Sequence, residues 1–250
     1  EYPPLAIQMA HSRSQRSRSA SGQPASAFFP AAELASPDGL IGVGGELTPE
    51  WLLDAYRHGI FPWPFNDEQL AWWSPDPRAI IEIDGLHISR RLARTLRGGQ
   101  FQVSCDRAFA DVIEGCATAQ RRRFATWLTP EMSAAYKHLH ELGHAHSIEV
   151  WRDGQLAGGT YGIAVGGLFA AESMFYRIRD ASKIALVHLL GHLKARGYEL
   201  LDIQQLTPHT ESLGATEIPR RAFLARLAQA LDRDVTFGET LEPAPHEERG

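Results

Sequence analysis

Cysteine is nearly absent: Cys105 and Cys116 are the only two in 250 residues. That excludes a disulfide framework or a cysteine-built zinc site, and it suits a reducing compartment. Long apolar runs are missing too. The longest, Ile184 to Leu190, is interrupted by His188 and falls well short of the ~20 residues a membrane-spanning helix needs. A soluble, cytoplasmic protein that touches no membrane is expected. An excess of positive charge is also lacking, since 25 Lys and Arg stand against 30 Asp and Glu for a net charge of −5. Any contact with RNA must therefore come from local basic patches. What is present is enough apolar material, 44% of residues, to exclude disorder throughout and to build one large or two modest domains.

Residues 1–26 are rich in Ser and Arg and carry almost nothing to bury, so a disordered leader is expected. Its composition is similar to that of an organellar transit peptide but lacks an apolar helical face, and Met9 is a candidate start. Residues 238–250, with Glu and Pro but no periodicity, read as a solvated acidic tail. Between these ends, Thr48 and Pro49 open a helix that carries Trp51, Leu52, Ala55 and Tyr56 on one face and stops at Gly59. The link from Ile60 to Pro77 holds Pro62, Pro64, Pro75 and Pro77, so it is not helical, and it marks the end of a small N-terminal domain over 27–77.

The second domain, 78–237, reads as strand Ala79–Ile83, a Ser89-capped basic helix, strand Phe101–Ser104, an Asp106-capped helix, and a helix from Thr129 that buries Met132, Ala135, Tyr136, Leu139 and Leu142. The period then switches to two over Ser147–Arg152, Gln155–Ala164 and Leu168–Phe175, a three-strand meander. A helix over Ala181–Arg196, a strand over Tyr198–Ile203 and a helix over Pro219–Leu231 follow. The fold class is α+β, and the order meander, helix, adjoining strand is that of an acetyltransferase-like domain by analogy alone.

Four groups of residues could carry chemistry. His138, His140, His144 and His146 lack metal-ligand spacing because Gly143 ends the helix among them, so they read as helix-end histidines and no metal is expected. Gly158, Gly159 and Gly162 precede no helix N-terminus; glycines in a strand mark a bulge or close backbone approach, which suits a peptide substrate. Asp202 and Gln204 share one face of a central strand, and Glu172 sits in an apolar strand beside it. Such polar groups form either a structural network or a reaction centre. Trp63, Phe65, Trp72, Trp73, Trp127 and Tyr136 serve packing or the stacking of unpaired bases. Arg90, Arg91, Arg94 and Arg97, extended by Arg121, Arg122 and Arg123, form either a solvated face or a phosphate-binding one.

Six segments decide among these readings. Leu40-Ile-Gly-Val-Gly-Gly-Glu-Leu-Thr-Pro-Glu, Arg57-His-Gly-Ile-Phe-Pro-Trp, Trp72-Trp-Ser-Pro-Asp-Pro-Arg, Leu139-His-Glu-Leu-Gly-His-Ala-His-Ser-Ile-Glu-Val-Trp, Glu172-Ser-Met-Phe and His209-Thr-Glu-Ser-Leu-Gly-Ala-Thr-Glu-Ile-Pro-Arg-Arg resemble the leucyl/phenylalanyl-tRNA-protein transferase family, from about Phe28 to Leu231. The resemblance implies a bacterial enzyme, expected to be monomeric, that moves Leu, Phe or Met from aminoacyl-tRNA (Leu-tRNA, Phe-tRNA) to the N-terminal Arg or Lys of a protein, marking it for degradation. It implies no cofactor, because the aminoacyl ester is already activated. Matching positions put Asp202 and Gln204 at the reaction centre, and beside them Glu172 can, as a carboxylate, pair with a cation, the donor's ammonium or the acceptor's basic side chain. Matching positions also put Thr160, Phe169, Met174 and Leu186 around the donor side chain and Trp63, Trp127 and Tyr136 at the tRNA 3′ end; the basic face of Arg90, Arg91, Arg94 and Arg97 is then expected, by its charge and spacing, to meet the tRNA backbone. The sequence departs from the pattern at Thr160, where a larger apolar residue is common, and at Ala171, where Gly is usual. The rivals are an acyl-CoA N-acetyltransferase, which would need a glycine-rich pyrophosphate loop where this chain has Tyr176–Lys183, and a catalytically silent module that binds tRNA ends or N-terminal peptides.

Overall fold

The structure, a computed structural model, describes residues 24–66, 69–121 and 127–243. Almost all of the expected leader, Arg122, Arg123 and the end of the tail lie outside the described residues.

Thr48 opens α1 (Pro49–Arg57), its hydroxyl accepting the Trp51 N–H at 3.4 Å with Pro49 at the first position. Gly59 stops it at φ +72°, a conformation that glycine adopts without a Cβ penalty. The chain around α1 forms β1 (Leu40–Val43), β2 (Phe61–Asn66) and β3 (Gln69–Trp73), a three-stranded sheet in the order β1-β3-β2. The proline-rich link is thus a hairpin. Pro62 and Pro64 lie in β2, an edge strand, where a missing N–H costs no ladder bond.

The remaining elements are β4 (Arg78–Ile81), α2 (Arg90–Arg97), β5 (Gln102–Cys105), α3 (Phe109–Arg121), α4 (Pro130–Glu141), β6 (Ala145–Arg152), β7 (Gln155–Val165), β8 (Leu168–Tyr176), α5 (Ala181–Arg196), β9 (Leu200–Gln204), α6 (Pro208–Glu211), β10 (Thr216–Ile218) and α7 (Arg220–Leu231). Seven strands form one sheet, β10-β4-β9-β8-β7-β6-β5, antiparallel except where β8 meets β9. The expected meander is β6–β8, and the expected helix and adjoining strand follow it as α5 and β9. One face of the sheet packs on α5 and α2; the other packs on α3, α4 and α7 and continues into the α1 layer, so Trp51, Tyr56 and Trp72 share a core with Tyr136 and Tyr161. Covered on nearly all sides, α5 buries twelve residues from Ala181 to Leu193, as a helix apolar all round must.

Three local expectations are corrected. Asp106 does not cap α3; it sits at φ +55° and binds His146 Nδ1 at 2.7 Å and the Ser147 N–H at 2.8 Å. The Arg107 and Ala108 N–H groups instead donate to buried Glu149, at 3.4 and 3.5 Å, an anionic partner favoured at a helix start. Leu142, expected inside, is exposed. The described part of the tail is docked: Leu241 joins the core edge and the Glu242 N–H donates to His192 Nδ1 at 3.0 Å.

The strand glycines are filled from within the protein. A Cβ on Gly162 would overlap the Ala170 carbonyl oxygen and the Phe169 ring, and one on Gly158 would lie 2.8 Å from the Phe175 carbonyl oxygen. Both close approaches belong to the chain itself, not to a peptide. Gly162→Ala is expected to destabilise by about 1–3 kcal/mol, the usual range for overpacking. Thermal unfolding checks it, each kcal/mol lowering Tm by about 2–4 °C in a chain of this size.

Candidate active site

The site lies where the sheet opens. The parallel pairing of β8 with β9 runs from Leu168–Leu200 to Ala170–Asp202 and stops there. Further on, β8 is held by β7, with Met174 opposite Thr160, and β9 by β4, with Gln204 opposite Ala79. A cavity of about 270 Å³ fills the parting, lined by Glu172 and Met174 of β8, Gln204 of β9, Thr160, Leu186, Trp63 and Trp127 among others. It is slightly smaller than the ~300–1,000 Å³ pockets that take drug-sized ligands, so it fits a residue-sized group.

Glu172 and Gln204 meet across the opening, the Gln204 Nε2 donating to Glu172 Oε1 at 3.0 Å. The second carboxylate oxygen accepts the Tyr136 hydroxyl at 3.0 Å, and Tyr136 in turn lies 3.1 Å from the Tyr56 hydroxyl of α1. Although Glu172 keeps some exposure to the cavity, burial of its carboxyl pushes its pKa up to about 8, against the lowering effect of the Tyr136 and Tyr56 hydroxyls. Its proton is therefore held to a higher pH than an ordinary glutamate's. Desolvation, then the nearby Glu172 charge, raises the Tyr136 phenol well above its ordinary value, so both tyrosines act as neutral hydrogen-bonding groups.

Asp202 faces away from the cavity and is 1% exposed. Its carboxylate is gripped by Arg78, Nε to Oδ1 at 2.8 Å and Nη2 to Oδ2 at 2.6 Å, and Oδ1 also accepts the Gln204 N–H at 2.9 Å. Asp202 supports from behind, and only Gln204 reaches the opening.

Other expected residues separate in the same way. Trp63 stacks on Trp127 with centroids 4.6 Å apart and planes within 17°. Thr160 is buried, and its hydroxyl donates to the Ser173 carbonyl at 2.9 Å, so the proton that made it polar is already engaged. Phe169 is not in the cavity lining; it is 1% exposed and packs on Phe237 and Tyr198. Arg91 pairs with Asp180 through two 2.8 Å bonds, while Arg90, Arg94 and Arg97 are exposed and make no ion pair among the described residues. His140 meets the Ala145 carbonyl at 2.8 Å and His138 pairs with Glu141; no three His, Cys, Asp or Glu side chains among the described residues gather as a metal site. No described helix is long and apolar enough to cross a membrane.

Comparison with known proteins bears directly on this geometry. Residues 80–228 match the family model described as leucyl/phenylalanyl-tRNA protein transferase, and residues 45–76 match that family's N-terminal domain. The chain belongs to the leucyl/phenylalanyl-tRNA protein transferase family. It is 54% identical over 210 residues to the leucyl/phenylalanyl-tRNA–protein transferase of Chromohalobacter salexigens, covering 83% of this chain and 82% of that one. Against the transferase of the same name from Aromatoleum aromaticum it is 55% identical over 202 residues, 80% of this chain and 85% of that one. Among solved structures, a GCN5-related N-acetyltransferase from Kribbella flavida matches at 12% identity with a TM-score of 0.37, over 69% of this chain and 61% of that one.

In this member of the transferase family, sequence reasoning missed two side chains of the site. Tyr56 reads from its spacing only as the buried face of α1. Arg78 stands at the end of the Trp-Trp-Ser-Pro-Asp-Pro-Arg segment, and the signal that could have found it is the cost of a carboxylate on a central strand, which demands a buried cation.

Proposed function

We propose that the chain transfers Leu or Phe from aminoacyl-tRNA to the N-terminal Arg or Lys of an acceptor protein, which marks that protein for degradation, and that the cavity between β8 and β9 is where the peptide bond forms. The observation that carries this reading is the Gln204–Glu172 contact across an apolar, residue-sized cavity roofed by a tryptophan stack, in a chain of this family. The neutral α-amine of the acceptor attacks the ester carbonyl and a C–N bond forms. The bond to the 3′-ribose oxygen breaks, and that oxygen takes the proton the amine gives up. Because an α-amine has a pKa near 7.7–8.0, about a tenth or more is already neutral at pH 7, so positioning outweighs base strength.

Gln204 has no basic site and acts as a donor to the carbonyl oxygen or a holder of the amine. Glu172 receives the acceptor's cationic side chain. The terminal adenosine stacks on Trp63 and Trp127, Tyr136 serves from the core by holding Glu172, and Arg90, Arg94 and Arg97 meet the tRNA backbone. Met174, Leu186 and Thr160 surround the donor side chain, in a slot that accepts an unbranched β-carbon and rejects Ile and Val. The protein works as a cytoplasmic monomer.

The test charges tRNA with Leu, Phe, Met or Ile, offers peptides beginning with Arg, Lys or Ala, and follows peptide mass. Leu or Phe on the Arg and Lys peptides alone is the expected result. Binding of tRNA with no addition to any peptide would leave the silent binding module. In the same assay, Thr160→Met is expected to narrow the slot and lower the Phe-to-Leu ratio of kcat/KM by about tenfold, within the range that one or two methylene-sized changes produce.

A further inference from the structure

β4 opens with an arginine in a strand whose four residues are all buried. Such a charge must be paired and hydrogen-bonded, and each of the three guanidinium nitrogens of Arg78 has a partner. Its Nε and Nη2 take both oxygens of Asp202, and its Nη1 donates to the Gly59 carbonyl at 3.0 Å. Its guanidinium plane lies between two rings, 4.8 Å from the centroid of Phe61 and 4.5 Å from that of Phe223. The end of α1, β2 and α7 thus fix it from three directions.

Both oxygens of Asp202 are held, so its carboxylate cannot rotate, and the oxygen bound to Nε is also the acceptor for the Gln204 N–H. Gln204 stands at φ +60°, a left-handed conformation that side-chain-bearing residues hold only when their surroundings impose it. The bond from its N–H back to a carboxylate two residues earlier is the means of imposing it. From that backbone position the amide reaches Glu172 at 3.0 Å.

We propose that Arg78 is a positioning residue for the transfer reaction: acting through Asp202, it keeps Gln204 in the turned conformation that aims its amide into the cavity. The proposal rests on the transferase reading above. Lysine cannot substitute, because a point charge on a flexible stem lacks the planar fork that holds two oxygens at once.

The experiment compares single-turnover transfer from Leu-tRNA to an Arg peptide for the wild type, Arg78→Lys, Asp202→Asn and the double variant, each rate normalised to the sites that bind Leu-tRNA so that unfolded protein does not count. Arg78→Lys is expected to lower the rate at least about tenfold, as small misplacements of reacting groups do, with the KM for Leu-tRNA unchanged. The double variant is expected to be no slower than Asp202→Asn, because the two residues act along one line. Losses that multiply, or a folded Arg78→Lys at wild-type rate, overturn the proposal. Phe223→Leu, which keeps the charge and removes one ring, is the second probe should Arg78→Lys not fold: a several-fold loss of rate supports the proposal, and a wild-type rate overturns it. A wild-type chain that transfers nothing overturns the transferase reading, and this inference with it.

Discussion

Gln204→Ala is expected to slow peptide-bond formation by about 10²–10³-fold, the range seen when one preorganised donor is removed from a reaction centre, while the KM for Leu-tRNA stays within about threefold. The split follows from where the residue stands. In the proposed reading the tRNA end rests on the stacked pair Trp63 and Trp127, whereas the Gln204 amide serves only the groups that meet between β8 and β9. One of its N–H bonds is spent on Glu172, which leaves the other for the substrate. Gln204→Glu separates positioning from proton transfer. A carboxylate of the same shape could act as a base but donates nothing when ionised, and it would face Glu172. If positioning dominates, the Glu variant is as slow as the Ala variant; a Glu variant at wild-type rate would mean that the residue works by taking up a proton. Rapid quench of a single turnover gives both numbers.

Much of the frame was legible because it is written locally. Thr48–Pro49, Ser89 and Thr129–Pro130 cap helices from within four residues, and Gly197 ends α5 at φ +84°. What the sequence concealed depends on distant partners. β1 and β10 are short strands that exist by pairing with β3 and β4. The prolines of β2 suppress a strand signal although an edge position tolerates them. Asp106 carries the signature of a cap, but Glu149, some forty residues later in the chain, arrives at the helix start. At the site, alternation puts Asp202 and Gln204 on one face, but Gln204 turns at φ +60° and only it lines the cavity. That depends on Arg78, 124 residues away. Phe169 was assigned to the donor slot by family position, but Phe237, in a stretch with no pattern to mark it as core, draws its ring into the interior.

The pH dependence of acceptor use is expected to reveal Glu172. Its carboxyl, pushed up to about 8 by burial, must lose its proton to receive the cationic side chain of an N-terminal Arg. The acceptor's α-amine must lose one as well, with a pKa near 7.7–8.0. Two deprotonations below their pKa values multiply. For an Arg peptide, kcat/KM is expected to rise by a factor approaching 100 per pH unit between about pH 6 and pH 7, and Glu172→Gln by a factor approaching ten, since only the amine still titrates. The same proton sets a sign on stability. The folded chain holds it up to about pH 8 while an unfolded glutamate, with its ordinary value of 4.5, releases it much earlier. The wild type should therefore weaken against urea as pH rises from about 4.5 to about 8, and Glu172→Gln should lack that component of the slope. Wild type and Glu172→Gln rising with pH at the same rate would show that the acceptor's cation does not sit on this carboxylate. A difference of one full proton would place the positive end of the acceptor against Glu172, beside the Gln204 amide.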